Sequence, residues 1–260
     1  MNNMMKTFSN LIFRASLMSV MSVSVMQAAK QPSIYRKGWI DFNKNGRMDV
    51  YENPQAPVAD RVADLLAQMT MDEKTCQMVT LYGSGRVLKD AAPTPQWHQE
   101  LWKDGIANID EQANGLGSFG SSISYPYVVS VENRHAVQRW FVEQTRLGIP
   151  ADFTNEGIRG LCHDRATMFP AQCGQGCTWD RSLIDEIARV TAEEAIALGY
   201  TNIYAPLLDI SQDPRWGRVV ECYGEDPYLV GELGKRMALG LQSRGLISTP
   251  KHFAVYSVPV

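Results

Sequence analysis

From Gly105 onward one unit recurs along the chain: a short apolar run, a loop, then a longer stretch of helical periodicity that stops at a glycine. The segment GIANID, residues 105–110, reads as a buried strand. A helix around Ser130–Leu147 ends at Gly148 and leads into IPADF, and a second around Ser182–Leu198 ends at Gly199 and leads into NIYAPLLDI. A third, around Pro227–Gln242, ends near Gly245 and leads into LIST, which runs into Lys251. A glycine just past a helix supplies the left-handed residue that closes its last turn. Strands separated by whole helices do not pair as hairpins, so the alternation predicts an α/β fold with a parallel sheet. Its chemically loaded segments, TNEGIRG, DPRWGRVVECYGEDP and KHF, each follow a strand, where the active-site loops of a (β/α)8 barrel gather. That architecture takes eight units and about 250 residues, against roughly four strands from Gly105 on. The expectation is an incomplete TIM-type barrel, the N-terminal part of one, unfinished at Val260.

The chain before Gly105 divides differently. Residues 1–29 carry only Lys6 and Arg14 as charges, with an apolar, Ser-rich run over Ala15–Met26 and small residues at Ala28 and Ala29. That is the outline of a secretory signal peptide, too short for a comfortable membrane span. It predicts export to the periplasm or the extracellular space, and no membrane partner once it is removed. Residues 30–57 are polar and turn-rich, bracketed by Pro32, Pro54 and Pro57, and read as an extension outside the core. Helical periodicity begins with Val58, Val62, Leu65, Leu66 and Met69, and Thr70 with Glu73 makes the capping box of a second helix. Residues 58–260 are assigned to the barrel part. A net charge of −3 with no Lys/Arg run argues against a nucleic-acid partner.

The extension holds the sharpest local motif. In DFNKNGRMDVYE, Asp41, Asn43, Asn45, Gly46, Asp49 and Glu52 fit the calcium-loop pattern of an EF-hand, with the Arg47 carbonyl as a further ligand. Alternate side-chain oxygens point into such a loop, the glycine permits its sharp turn, and the final Glu closes the sphere with two oxygens. Asn53-Pro54 blocks the usual exiting helix, and nothing before Asp41 reads as an entering one. Structural Ca2+ is the expectation, against a metal-free turn held by Asx hydrogen bonds. Five cysteines, Cys76, Cys162, Cys173, Cys177 and Cys222, are too few for a disulfide framework. Cys162, His163, Cys173 and Cys177 lie close in sequence, but their spacing matches no zinc pattern, and small buried thiols account for them better.

Among the strand-end loops, NEGIRG offers Glu156 and Arg159, a carboxylate suited to neighbouring hydroxyls or simply a surface ion pair. DPRWGR places Arg215, Trp216 and Arg218 around a glycine, and an aromatic with guanidinium donors suits a polyhydroxylated ring. Lys251 and His252 add two donors at a strand end. Taken in order, NEGIRG, MFPAQCGQGCTWD, YAPLLDISQDPRWGRVVECYGEDPYLVGELG and KHFAVYS resemble the family 3 glycoside hydrolases, the β-glucosidase and β-xylosidase group. The resemblance runs from roughly Val58 to the end, and DFNKNGRMDVYENP is similar to extensions before the barrel in bacterial members. It implies that Glu156 binds hydroxyls in the first subsite, that Arg218 is the sugar-binding arginine, and that Lys251 and His252 grip adjacent hydroxyls. Arg159 stands where the family often has His.

The resemblance further implies retaining, exo-acting hydrolysis of terminal non-reducing β-D-glycosyl residues from β-linked oligosaccharides or aryl and alkyl β-glycosides, with no cofactor required for catalysis. The family's nucleophile and acid/base belong to later segments. No catalytic residue is therefore expected within this chain, and the chain by itself is expected to be inactive. The alternative reading is a non-catalytic carbohydrate-binding or calcium-dependent interaction module.

Overall fold

The computed structural model describes residues 33–82, 92–110, 127–163, 165–253 and 256, so the expected signal peptide lies outside the described residues. The chain enters through an antiparallel pair, β1 (Tyr35–Arg36) and β2 (Trp39–Ile40), and crosses the DFNKNGRMDVYE loop. Two helices follow, α1 (Val58–Gln68) and α2 (Met71–Cys76). The alternation begins with β3 (Thr80–Tyr82) and β4 (Asn108–Asp110), then α3 (Tyr127–Gln144) and β5 (Asp152–Glu156). It continues through a short α4 (Gln172–Gly176), α5 (Arg181–Ala197), β6 (Asn202–Tyr204), α6 (Pro227–Gln242) and β7 (Ile247–Ser248). The sheet is parallel throughout and its strands stand in sequence order, β3-β4-β5-β6-β7. Strands that each lie beside their sequence neighbour, with α-helices between β4, β5, β6 and β7, wind in the sense of a β/α barrel.

The two faces of the sheet differ in chemistry because side chains alternate along a strand. On one face Leu81, Ile109 and Phe153 align across three strands and Ile203 continues on β6, all buried. Against them pack Val137 and Phe141 of α3, Ile184, Ala188 and Ala192 of α5, and Leu233, Met237 and Leu241 of α6. The opposite face is a polar ladder. Asn108 and Asn202 both donate to the Asp152 carboxylate, at 3.0 and 2.9 Å, and the Thr249 hydroxyl donates to Asn202 at 2.8 Å. One rung higher, Thr154 donates to Asp110 at 2.9 Å. Period two puts Glu156 of β5 and Lys251, two residues past Thr249, on this polar face.

The strands are shorter than the sequence suggests. NIYAPLLDI keeps only Asn202–Tyr204 as strand, since Pro206 has no N–H to give to a neighbour. β3 carries no signal in the sequence, because three residues are too few to show a period. In α1 the predicted apolar stripe is present but buries no residue of the helix, and Val58 is 72% exposed. The capping box of α2 is formed as expected: the Thr70 hydroxyl accepts from the Glu73 amide and the Glu73 carboxylate from the Thr70 amide.

The extension is not a free tail. Tyr51 is buried, stacks on Phe42 and donates to the Leu147 carbonyl, while Lys44 donates to the Thr145 carbonyl at 2.5 Å. At Gly148, φ is +58° and a Cβ would stand 2.7 Å from the Phe42 carbonyl oxygen. Glycine there lets the extension press onto the chain that enters β5.

Candidate functional site at the strand ends

β5 ends on Glu156, and Lys251 follows β7. The Lys251 ammonium donates to both Glu156 oxygens, at 2.7 Å each, and stands 5.4 Å from the Tyr204 ring centroid at the end of β6. The backbone fixes this lysine, because its amide donates to the Pro206 carbonyl at 3.0 Å and its carbonyl accepts from Leu208 at 2.6 Å. Gln172 of α4, itself buried, accepts from the Leu207 amide at 3.2 Å and so braces the same loop from below.

Arg218 caps a single 3-10 turn, Val219–Glu221. Its guanidinium forms a fork with Glu221, Nε to Oε1 at 2.9 Å and Nη2 to Oε2 at 2.5 Å. This pairing holds the guanidinium above its usual pKa range. Its remaining arm, Nη1, reaches His252 Nε2 at 3.1 Å and the Tyr256 hydroxyl at 3.3 Å. His252 Nδ1 lies 2.9 Å from Asp209 Oδ2. A guanidinium only donates and a carboxylate only accepts. The pattern therefore suits the neutral ring with its proton on Nδ1 and the Nε2 lone pair towards Arg218. The Tyr256 ring lies 4.4 Å from the His252 ring and 5.4 Å from Trp216.

The packing beneath this array is tight. A Cβ on Gly176 would come within 1.9 Å of the Tyr223 carbonyl oxygen, so only glycine lets α4 approach the segment that follows the Arg218 turn. Cys222 of that segment is buried, and burial, reinforced by the nearby Asp209 and Glu221, pushes its thiol up to about 11. Beside Glu156 a cavity of about 360 Å3 opens, lined by Arg159, Leu161, Cys162, His163 and Met168.

The four residues read from the sequence as sugar ligands, Glu156, Arg218, Lys251 and His252, thus meet at one end of the sheet as two linked pairs. Other readings change. Trp216 is 7% exposed and leans on Tyr256, so its face is packed and not open for stacking, and Arg215 turns outward to pair with Asp213. Tyr256, Asp209 and Gln172 escaped sequence reasoning as partners, since each acts over 34 residues or more except the His252–Tyr256 contact, which lies inside KHFAVYS. Cys76, Cys173, Cys177 and Cys222 are free, and among the described residues no three His, Cys, Asp or Glu side chains group to hold a metal by themselves. Asp41, Asn43, Asn45, Arg47, Asp49 and Glu52 lie apart from the strand-end array, in the loop that docks before β5.

The chain matches the model of the "Glycosyl hydrolase family 3 N terminal domain" over residues 70–259. It is 42% identical to a beta-xylosidase of Formosa agariphila over 43% of this chain and 17% of that protein. It is 27% identical to a periplasmic beta-glucosidase/beta-xylosidase of Dickeya chrysanthemi over 92% of this chain and 38% of that one. Among solved structures it is similar to a β-glucosidase from Erythrobacter marinus, with a TM-score of 0.68 and 28% identity over 79% of this chain and 27% of that chain. A beta-glucosidase from Listeria innocua in complex with isofagomine matches at TM-score 0.58 and 32% identity over 75% of this chain and 25% of that chain. The chain spans well under half the length of each of these relatives.

Proposed function

The chain belongs to glycosyl hydrolase family 3, and from that premise we propose that its strand-end array is the sugar grip of an exported β-glycosidase. The reaction proposed is retaining, exo-acting removal of terminal β-D-glucosyl or β-D-xylosyl residues from oligosaccharides or aryl and alkyl β-glycosides. The observation that carries this reading is the pairing of Lys251 with both oxygens of Glu156 beside the Arg218–His252–Asp209 chain. Each sugar hydroxyl is donor and acceptor at once, so it can slip between such partners, giving its proton to Glu156 or to the His252 Nε2 lone pair and accepting from Lys251 or Arg218. Prior pairing keeps these charges in place at modest exposure until a ligand arrives. Export is supported by the composition of residues 1–29 and by the periplasmic naming of the Dickeya chrysanthemi relative.

Retaining chemistry needs two carboxyl groups about 5–5.5 Å apart across the scissile bond. In this proposal they are supplied outside these 260 residues, and Glu156, Asp209 and Glu221 bind or brace. The test is saturation-transfer NMR of the 260-residue chain with D-glucose and D-xylose, followed by incubation with aryl β-glucoside and β-xyloside. Sugar contact without turnover is expected, with Lys251→Ala and Arg218→Ala each weakening binding by about 1.5–3 kcal/mol. Unchanged binding in both variants would sink the grip. Turnover that vanishes on replacing a carboxylate of this chain would sink the placement of the chemistry.

A further inference from the structure

The DFNKNGRMDVYE loop lies outside the sugar array and carries its own chemistry. Its ring is closed by side-chain oxygens: Asp41 Oδ2 accepts the Gly46 amide at 3.0 Å, while Glu52 accepts the Asn43 and Asp49 amides at 3.2 and 2.9 Å. Asn43 Oδ1 accepts the Asn45 amide at 3.1 Å and Asn45 Oδ1 the Arg47 amide at 2.7 Å. Asp49 Oδ2 accepts the side-chain amides of Asn43 and Asn45, at 2.5 and 2.7 Å. These bonds alone describe a polar turn. The atom they do not explain is Asp41 Oδ1, which is buried with no hydrogen-bond partner on a residue 2% exposed. Its twin oxygen is tied across the ring to Gly46, so the carboxylate is held inside the loop. Glu52, also 2% exposed, presents both oxygens to the same ring.

A buried carboxylate oxygen without a partner is costly, and a hard cation satisfies it best. We propose that residues 41–52 bind one Ca2+ through Asp41, Asn43, Asn45, the Arg47 carbonyl, Asp49 and Glu52. Three carboxylates supply the charge. Neutral amide and carbonyl oxygens complete the set, and among the described residues the three carboxylates do not converge by themselves. The loop enters from the β1–β2 pair and leaves through turns, without the flanking helices of an EF-hand. Arg36, 3.4 Å from Asp41 Oδ2, and Lys44 offset part of the charge. With one loop and two basic neighbours, the affinity expected is that of extracellular calcium modules, Kd about 10⁻⁴–10⁻³ M. Calcium over magnesium follows from the ligand number and the flexible ring, since Mg2+ demands near-octahedral geometry at about 2.1 Å.

The experiment is calorimetry and thermal denaturation of the 260-residue chain after chelator treatment, titrated with CaCl2 and, separately, MgCl2. One Ca2+ per chain, a rise in Tm with Ca2+ and a much smaller response to Mg2+ are expected. Asp41→Asn and Glu52→Gln should each weaken Ca2+ by about tenfold or more, with circular dichroism like that of wild type. As a measurement that needs no variant, Tb3+ luminescence excited through Tyr51, next to Glu52, should appear in wild type and be displaced by Ca2+. Absence of heat, Tm shift and displaceable luminescence in folded wild type would overturn the site, as would equal Ca2+ affinity in both folded variants.

Discussion

At the scale of single residues, the site was legible wherever a strand end and a chemical motif coincide. Glu156 could be placed because it lies at the end of a strand, Lys251 and His252 because they lie shortly past one, and Arg218 because its motif is dense. Their partners were not legible, since Asp209 meets His252 across 43 residues and nothing local marks that meeting. Trp216 shows the opposite error: an aromatic beside arginines suggests stacking, yet packing against Tyr256 has claimed its face. Cys222 illustrates how environment decides reactivity, since alkylating reagents attack the thiolate. With its thiol pushed up to about 11 by burial, Cys222 should resist iodoacetamide near neutral pH while exposed Cys177 reacts. Peptide mass mapping before and after urea checks this. Equal labelling of both in the native chain would contradict the packing described.

At the scale of elements, helices were read well and strands poorly. Helices of sixteen and seventeen residues such as α6 and α5 repeat their period several times, whereas two- and three-residue strands cannot. The α2 capping box was readable because it is encoded within four residues. Thr70→Ala should cost about 1 kcal/mol in urea denaturation, the usual cost of losing a cap. The same box gives a pH dependence. Burial pushes the Glu73 carboxyl up, but the hydrogen bonds from Arg146 and Thr70 outweigh it and leave the group below its ordinary value. A carboxyl depressed by folding stabilises fully above its unfolded value of about 4.3, and that stabilisation is lost as pH falls through the folded value. Arg146→Ala should therefore flatten the fall of stability below about pH 4.3. An unchanged acid limb would show that Arg146 is not responsible.

At the scale of the whole molecule, the parallel winding was legible from the alternation alone, while the polar face of the sheet was not. Bulky branched side chains usually fill the inside of a barrel, and here Asn108, Asp152, Thr154 and Asn202 occupy that face instead. The docking of the extension was also hidden, because Tyr51 and Phe42 look like stray aromatics in a polar segment until Gly148 lets them close. One arrangement links the sheet to the array. Lys251 is held by its own backbone, amide to Pro206 and carbonyl to Leu208, as though the sheet ran on one rung further. Its amide proton should then exchange with deuterium on the timescale of the sheet interior and not on that of a surface loop. Native-state exchange should find the Lys251 and Leu208 amides protected in step with Ile203, and rapid exchange at both would refute it. In the proposed sugar grip the ammonium group therefore moves only when the strands beneath it do, and otherwise stands at a fixed height above the sheet.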